Sequence, residues 1–79
     1  MTTGMRGDFA RRLDQERQRR HLSVRGAARV AGVPPATMQG WLNGRHLPTP
    51  ALRPRFVAFV EFLGLEDQLD PAMWRGNGA

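Results

Sequence analysis

The side chains best suited to chemistry in this sequence are two histidines and twelve arginines. His21 and His46 have no evident third partner, because no Ser/His/Asp arrangement and no glycine-rich phosphate loop accompanies them. Two histidines with scattered carboxylates also lack the ligand spacing of a zinc site. We therefore expect that the protein is not an enzyme and that it uses no metal, no cofactor and no small-molecule substrate.

The arginines are distributed unevenly along the chain. All lysine/arginine positions are Arg, which grips phosphate through two parallel hydrogen bonds and stacks on bases. Residues 1–45 carry nine Arg against three acidic residues, whereas residues 46–79 carry three Arg against four. The net charge of +5 is thus concentrated in the first half of the chain. This asymmetry is typical of a protein surface that binds nucleic acid. The alternative is that the arginines are only solvated on the surface of a small basic protein.

Residues 23–48 contain the clearest pattern, which predicts two short helices joined by a tight turn. Ser23 suits the position before a helix, because its hydroxyl can accept a hydrogen bond from an amide of the first turn. Apolar residues then recur at helical spacing, at Val24, Ala27, Ala28 and Ala31. Gly32 ends this helix because glycine adopts positive φ cheaply, and Val33 can return to the core. Pro35 can occupy the first position of the second helix.

The second helix is predicted over residues 35–43, and Gly44 ends it. Its spacing places Met38, Trp41 and Leu42 on one inner face. Four residues are left to face outward: Thr37, Gln39, Gly40 and Asn43. Of these, Gln39 can form a bidentate pair of hydrogen bonds with a base, best with adenine.

This pattern resembles the helix-turn-helix core of the Xre family, the lambda-repressor-like group of bacterial DNA-binding domains. The residues that carry the resemblance are Ser23, Ala27, Ala28, Gly32, Val33, Thr37, Met38, Trp41, Asn43, Gly44, Arg45 and Pro48. Flanking segments extend it from about Phe9 to Leu65. The run 40–48 is similar to a variant found at the N-terminus of larger bacterial regulators. The resemblance implies an all-α fold, a compact bundle of about five short helices.

The resemblance also implies a DNA-binding transcriptional regulator, or its DNA-binding module, that places the second motif helix in the major groove of double-stranded DNA. The implied base-contacting positions are Pro35, Ala36, Gln39 and Gly40. The implied phosphate-contacting positions are Ser23, Thr37, Asn43 and Arg45. Arg25 and Arg29 lie on the outward face of the first motif helix, where they can contact flanking phosphates or simply be solvated. Many relatives bind as dimers, but no dimer helix is evident, so a monomeric module that uses a partner's dimerisation is equally open.

A protein-interaction module is the alternative function. The outward face of the second helix is short of hydrogen-bonding side chains, and its Pro34–Gly40 edge is smooth and apolar. A partner can dock there or at Met73 and Trp74, and DNA binding would then be weak and salt-labile. A small antitoxin-type or phage-type regulator shares the DNA chemistry and differs in its partner.

The remaining chain predicts one domain over residues 8–75, with flexible tails at 1–7 and 76–79. Asp8 is expected to cap a first helix that runs to about Arg20 and points Phe9, Leu13 and the stem of Arg17 inward. A further helix begins near Leu52 or Pro54 and ends at Gly64. Its inner stripe is expected to form the floor of the core, with Phe56, Phe59, Val60 and Leu63.

After this helix, Leu65 is expected to fold back onto the core, and residues 66–69 to form a short turn. Asp70 and Pro71 open a final helical turn whose Met73 and Trp74 partly close the core. The chain has no cysteine, no apolar run of about 20 residues that could cross a bilayer, and no apolar stretch typical of a signal peptide near its first residue. We expect a soluble, cytoplasmic protein that is associated with the nucleoid when bound to DNA.

Overall fold

The computed structural model of the protein describes the backbone of residues 2–69 and the side chains of residues 7–69. Four α-helices are present: α1 (Thr2–Arg19), α2 (Val24–Ala31), α3 (Pro35–Leu42) and α4 (Arg53–Phe62). Two short 3-10 helices flank α4, Pro50–Leu52 before it and Glu66–Gln68 after it. The backbone described here contains no strand, and the predicted all-α fold is confirmed. The predicted helical turn from Asp70, with Met73 and Trp74, and the tail 76–79 lie outside the described residues.

The first helix is longer than the sequence predicted. The expected start at Asp8 is wrong, because α1 begins at Thr2 and Asp8 lies inside it, paired with Arg11 across 3.5 Å. Once the packed part of a helix has nucleated, each added residue gains a hydrogen bond at low cost, so weak helix formers can extend it. The domain limits at residues 8 and 75 stay predictions.

Arg17 fixes the junction between α1 and α2. The backbone turns at His21, which has a φ of 55°, and the Leu22 amide donates to the Arg17 carbonyl at 3.0 Å. The Arg17 guanidinium donates to the Leu22 carbonyl at 2.7 Å and to Asp14 Oδ1 at 2.8 Å. The Arg17 side chain is half-buried as predicted, and its guanidinium group holds the backbone segment that leads into α2.

The α2–turn–α3 unit forms as its residues predict. Ser23 Oγ accepts a hydrogen bond from the Gly26 amide at 3.0 Å, so Ser23 caps α2. Gly32 adopts a φ of 74°, and the following amide, of Val33, donates to the Ala28 carbonyl at 3.0 Å. This left-handed glycine cap satisfies carbonyls at the end of α2 and returns Val33 to the core. Pro35 then occupies the first position of α3, and Met38, Trp41 and Leu42 are buried as expected.

The core is an aromatic cluster between α1, α3 and α4. The Trp41 ring meets Phe56 edge-on at 5.1 Å between centroids, and Phe56 meets Phe9 at 6.3 Å. The predicted inner stripe of α4 is buried throughout, at Phe56, Phe59, Val60 and Leu63. Burying each such side chain contributes roughly 1.5–3 kcal/mol, so α4 is the floor on which the α2–turn–α3 unit rests.

The carboxyl ends of α1 and α4 are joined at the surface. The Arg20 guanidinium lies 5.5 Å from the centroid of the Phe62 ring and donates to the Leu63 carbonyl at 3.4 Å. Gly64 then turns the chain with a φ of 74°, and the Leu65 amide donates to the Val60 carbonyl at 3.0 Å. Leu65 is buried, as the sequence predicted for the residue after a glycine cap.

Candidate nucleic-acid interface

The outward side of α3, with the residue that ends it, carries half of the residues that the sequence assigned to ligand contact. Pro35, Ala36 and Gln39 are exposed, and Thr37 is half-buried. Asn43, the residue that ends α3, is exposed and lies four positions after Gln39 on the same side of the helix. A stripe that reaches from Pro35 to Asn43 is therefore open to a ligand along the whole length of α3.

Gly40 does not belong to this stripe, and the prediction that it faces outward is wrong. Gly40 is buried, because the imidazole of His46 lies directly over it. A methyl group built on Gly40 would overlap His46 Cδ2, so the close approach of the ring requires glycine there. Sequence spacing could not reveal this contact, because it forms only once the chain turns back after Gly44.

The turn after α3 holds Arg45 in a defined position. Gly44 has a φ of 76°, and the Arg45 amide donates both to Asn43 Oδ1 and to the Gly40 carbonyl, each at 3.0 Å. These bonds fix the Arg45 backbone, while its side chain is exposed. The side-chain oxygen of Asn43 is occupied by this cap, so its amide nitrogen is the group that can donate to an outside acceptor.

The start of α2 offers a second set of donors beside α3. Ser23 Oγ accepts from the Gly26 amide, which leaves the hydroxyl proton to donate. Arg25 and Arg29 follow on the exposed face of α2. The first amides of a helix carry a partial positive charge, so this end of α2 favours an anion.

The arginines fall into two groups that differ in their partners. On α1, Arg11, Arg17 and Arg19 each meet a carboxylate within 3.5 Å. No acidic residue occurs over residues 21–60, whereas this stretch contains five arginines, Arg25, Arg29, Arg45, Arg53 and Arg55.

Within residues 7–69, the guanidinium groups of Arg25, Arg29 and Arg45 form no ion pair and no hydrogen bond. All three are exposed on the α2–turn–α3 unit. Their positive charge is therefore available to an anionic ligand, whereas Arg11, Arg17 and Arg19 on α1 are each paired with a neighbouring carboxylate.

Two open grooves flank α3. The groove on the α1 side is lined by Gly7, Ala10, Arg11, Asp14, Gln39, Leu42 and Asn43. The groove on the other side is lined by Ala36, Thr37, Trp41, His46, Leu47, Thr49 and Leu52. An α-helix with its side chains is about 10–12 Å across and the DNA major groove is about 12 Å wide, so a helix flanked by open space on both sides has the shape to enter it.

The described part of the chain contains neither a metal-binding cluster nor a membrane-spanning helix. Residues 7–69 hold no cluster of three or more His, Asp or Glu that could hold a metal ion. His21 lies two residues after α1 and His46 lies in the loop after α3, and no described hydrogen bond joins the two histidines. No helix in the described range is long and apolar enough to cross a membrane.

A capped short helix, a left-handed glycine turn and a second helix with an exposed outer face together define a helix-turn-helix domain. The sequence agrees, since residues 8–72 match the family model described as "Helix-turn-helix domain". The chain belongs to this helix-turn-helix family. It has no significant match among curated proteins or among solved structures.

Proposed function

We propose that the protein is an Xre-like bacterial transcriptional regulator, or the DNA-binding module of one, acting in the cytoplasm on double-stranded DNA. In this proposal α3 enters the major groove, and the exposed arginines of the α2–turn–α3 unit contact the phosphates on either side. Membership of the helix-turn-helix family supports DNA as the ligand.

The observation that carries the proposal is the exposure of three arginines that lack a carboxylate partner. Arg25, Arg29 and Arg45 are exposed and without a carboxylate partner in the described structure, around the helix that would enter the groove. Phosphate is the natural partner of such groups, because guanidinium binds it through charge-assisted, often bidentate hydrogen bonds. Thr37, Asn43 and the start of α2 at Ser23 add neutral donors to the same contact surface.

Base contacts would come from few side chains. Gln39 can read adenine through its amide, while Pro35 and Ala36 can touch a thymine methyl group. Gly40 is dropped from the base-contacting set because His46 covers it. Because so few side chains can contact bases, a large share of the binding free energy would come from phosphate contacts and from DNA shape.

The proposal is tested by the salt dependence of binding to a labelled duplex, measured by fluorescence anisotropy. Arg45→Ala should weaken binding to all duplexes similarly and reduce the slope of log K against log salt by about 1. Arg19→Ala is the matched control: it removes the same charge, but from an exposed side chain that pairs with Glu16 at 3.3 Å on α1. The control should leave the slope nearly unchanged, and equal slopes in both variants would remove Arg45 from the contact set.

A protein-docking function has its own support in the exposed apolar edge formed by Pro34, Pro35 and Ala36. The two functions separate in a selection from a randomised duplex pool. An enriched motif bound at least about 10³-fold above background indicates a sequence-specific regulator. Weak binding without an enriched motif, lost at physiological salt, indicates that this edge docks a protein instead.

A further inference from the structure

We propose that His46 is a DNA-contacting residue that takes the groove-facing place expected of Gly40, and that its protonation strengthens DNA binding. This inference rests on the proposed function, because it requires α3 to face DNA. It adds a residue from outside the two motif helices to the contact surface, and it adds a dependence on pH.

The position of His46 is set by the turn that follows α3. Its amide donates to the Gly40 carbonyl at 3.3 Å, and its ring lies over the Gly40 α-carbon. The side chain is nevertheless exposed, and it lines the same groove as Ala36 and Thr37. His46 therefore presents its ring beside residues that are proposed to meet the DNA.

The imidazole supplies a hydrogen-bonding group where α3 has few. Alongside Thr37, Gln39 and Asn43, it would be a fourth polar side chain of α3 and its following turn on this surface. When protonated, both ring nitrogens donate, and the acceptors on DNA that they fit are guanine N7 and O6 or a phosphate oxygen. The guanine atoms and the phosphate oxygen offer the ring the same chemistry, because each is a hydrogen-bond acceptor with a full or partial negative charge.

No carboxylate faces His46 from the elements packed around it. Two cavities flank the ring, and their lining residues come from α1, α3, α4, the Pro50–Leu52 helix and the loop that holds His46. The helices contribute Phe9, Ala10, Leu13, Ala36, Thr37, Trp41, Phe56 and Leu52, and the loop contributes Gly44, Leu47 and Thr49. None of these residues titrates, and the nearest charge along the chain is the arginine before it, Arg45. The described residues thus place no carboxylate against the ring, and DNA would be the partner that favours its protonated form.

The consequence is a binding constant that rises as pH falls. Protonation adds a positive charge and a donor, so the bound state takes up a proton and the dissociation constant falls as histidine becomes charged. A charge-assisted hydrogen bond supports a gain of roughly tenfold in affinity between about pH 8 and about pH 6.

The test compares duplex binding at about pH 8 and about pH 6 for the unmodified chain, His46→Gln and His21→Asn. Gln keeps a donor but does not titrate, so His46→Gln should lose the gain at low pH. The control removes the other histidine, and Asn tolerates the positive φ of 55° found at His21. The control should keep the full gain, and the same gain in His46→Gln as in the unmodified chain would overturn the inference.

Gly40→Ala supplies a second and independent variant, because its methyl group must push the His46 ring aside while removing no titratable group. Alanine favours a helix over glycine, so the variant should fold, and circular dichroism checks this. The pH-dependent gain should fall to less than half, and an unchanged gain would contradict the placement of the ring.

Failure of the inference can be told apart from failure of the proposed function. If the unmodified chain binds no duplex at either pH, the proposed function fails and the inference with it. If it binds but all variants share one pH profile, only the role of His46 fails. A gain equal on all duplexes, with a salt slope larger by about 1 at low pH, identifies phosphate as the acceptor, whereas a gain confined to selected sequences identifies a base.

Discussion

Replacing Gly32 by alanine should destabilise the protein for two separable reasons. The backbone at Gly32 has a φ of 74°, in the left-handed region where a Cβ costs about 1–2 kcal/mol. The added Cβ would also stand 2.5 Å from Arg55 Nη1, so the guanidinium must shift from its place at the carboxyl end of α2. A cation at that end of a helix contributes about 0.3–1 kcal/mol. We expect Gly32→Ala to cost roughly 1–3 kcal/mol of unfolding free energy.

Gly64→Ala is the matched control for this prediction. Gly64 has the same φ of 74°, but a Cβ built there meets nothing within 4 Å, so this variant isolates the cost of the backbone conformation. Urea unfolding followed by circular dichroism gives the unfolding free energy of each variant. A domain of this size has a stability of roughly 4–12 kcal/mol, so a difference of a few tenths to 1 kcal/mol between the two variants is measurable.

The Arg55→Ala background completes the experiment. Without the guanidinium, Gly32→Ala should cost no more than Gly64→Ala, because only the backbone term is left. If the two glycine variants already cost the same in the presence of Arg55, then Arg55 does not stabilise the end of α2. A stabilising effect of either alanine would refute the left-handed turn itself.

Three further outcomes follow from single contacts. Ser23→Ala should cost about 1 kcal/mol in urea unfolding because the Gly26 amide loses its cap, and Ser23→Asp should retain most of the stability; equal losses would exclude capping. Trp41→Ala should cost about 3–5 kcal/mol, since the ring is buried edge-on against Phe56, and a loss below about 1 kcal/mol would contradict that packing. Gln39→Ala should cost roughly 1–3 kcal/mol in anisotropy titrations on a preferred duplex and little on random DNA; equal losses on both would mean that Gln39 reads no base.

Local rules predicted the central part of the fold. Ser23 as a cap, Gly32 as a left-handed turn and Pro35 as a helix start each depend on a few neighbouring residues, and all three are confirmed. The buried positions Met38 and Phe56 were predicted in the same way, because they follow from a helical period that needs no knowledge of the partner helix.

Contacts made across turns were not predictable. His46 reaches Gly40 only because the chain reverses after α3, and Arg17 reaches the Leu22 carbonyl only because α1 ends in a left-handed residue. Spacing along the sequence carries no signal for either contact. The start of α1 was missed because residues near a helix end are decided by small differences in propagation free energy, which glycine and threonine make hard to judge.

The assignment of ligand contacts combined both kinds of information. Resemblance named the positions on α3, but it could not show that Gly40 would be covered. Charge pairing, which distinguishes Arg45 from Arg19, is visible only once the helices are placed. The DNA contacts themselves stay predictions that the binding experiments above decide.

The two groups of arginines give the molecule an electrical polarity. On α1, Arg11, Arg17 and Arg19 each pair with a carboxylate within one helical turn. The charges of Arg25, Arg29 and Arg45 are not compensated by a neighbouring carboxylate in the described structure. In the field of a polyanion, such a molecule experiences a torque that turns the α2–turn–α3 unit toward the surface before contact. Salt should therefore slow productive association as well as weaken the complex, because screening removes this orientation at the distances where encounter begins.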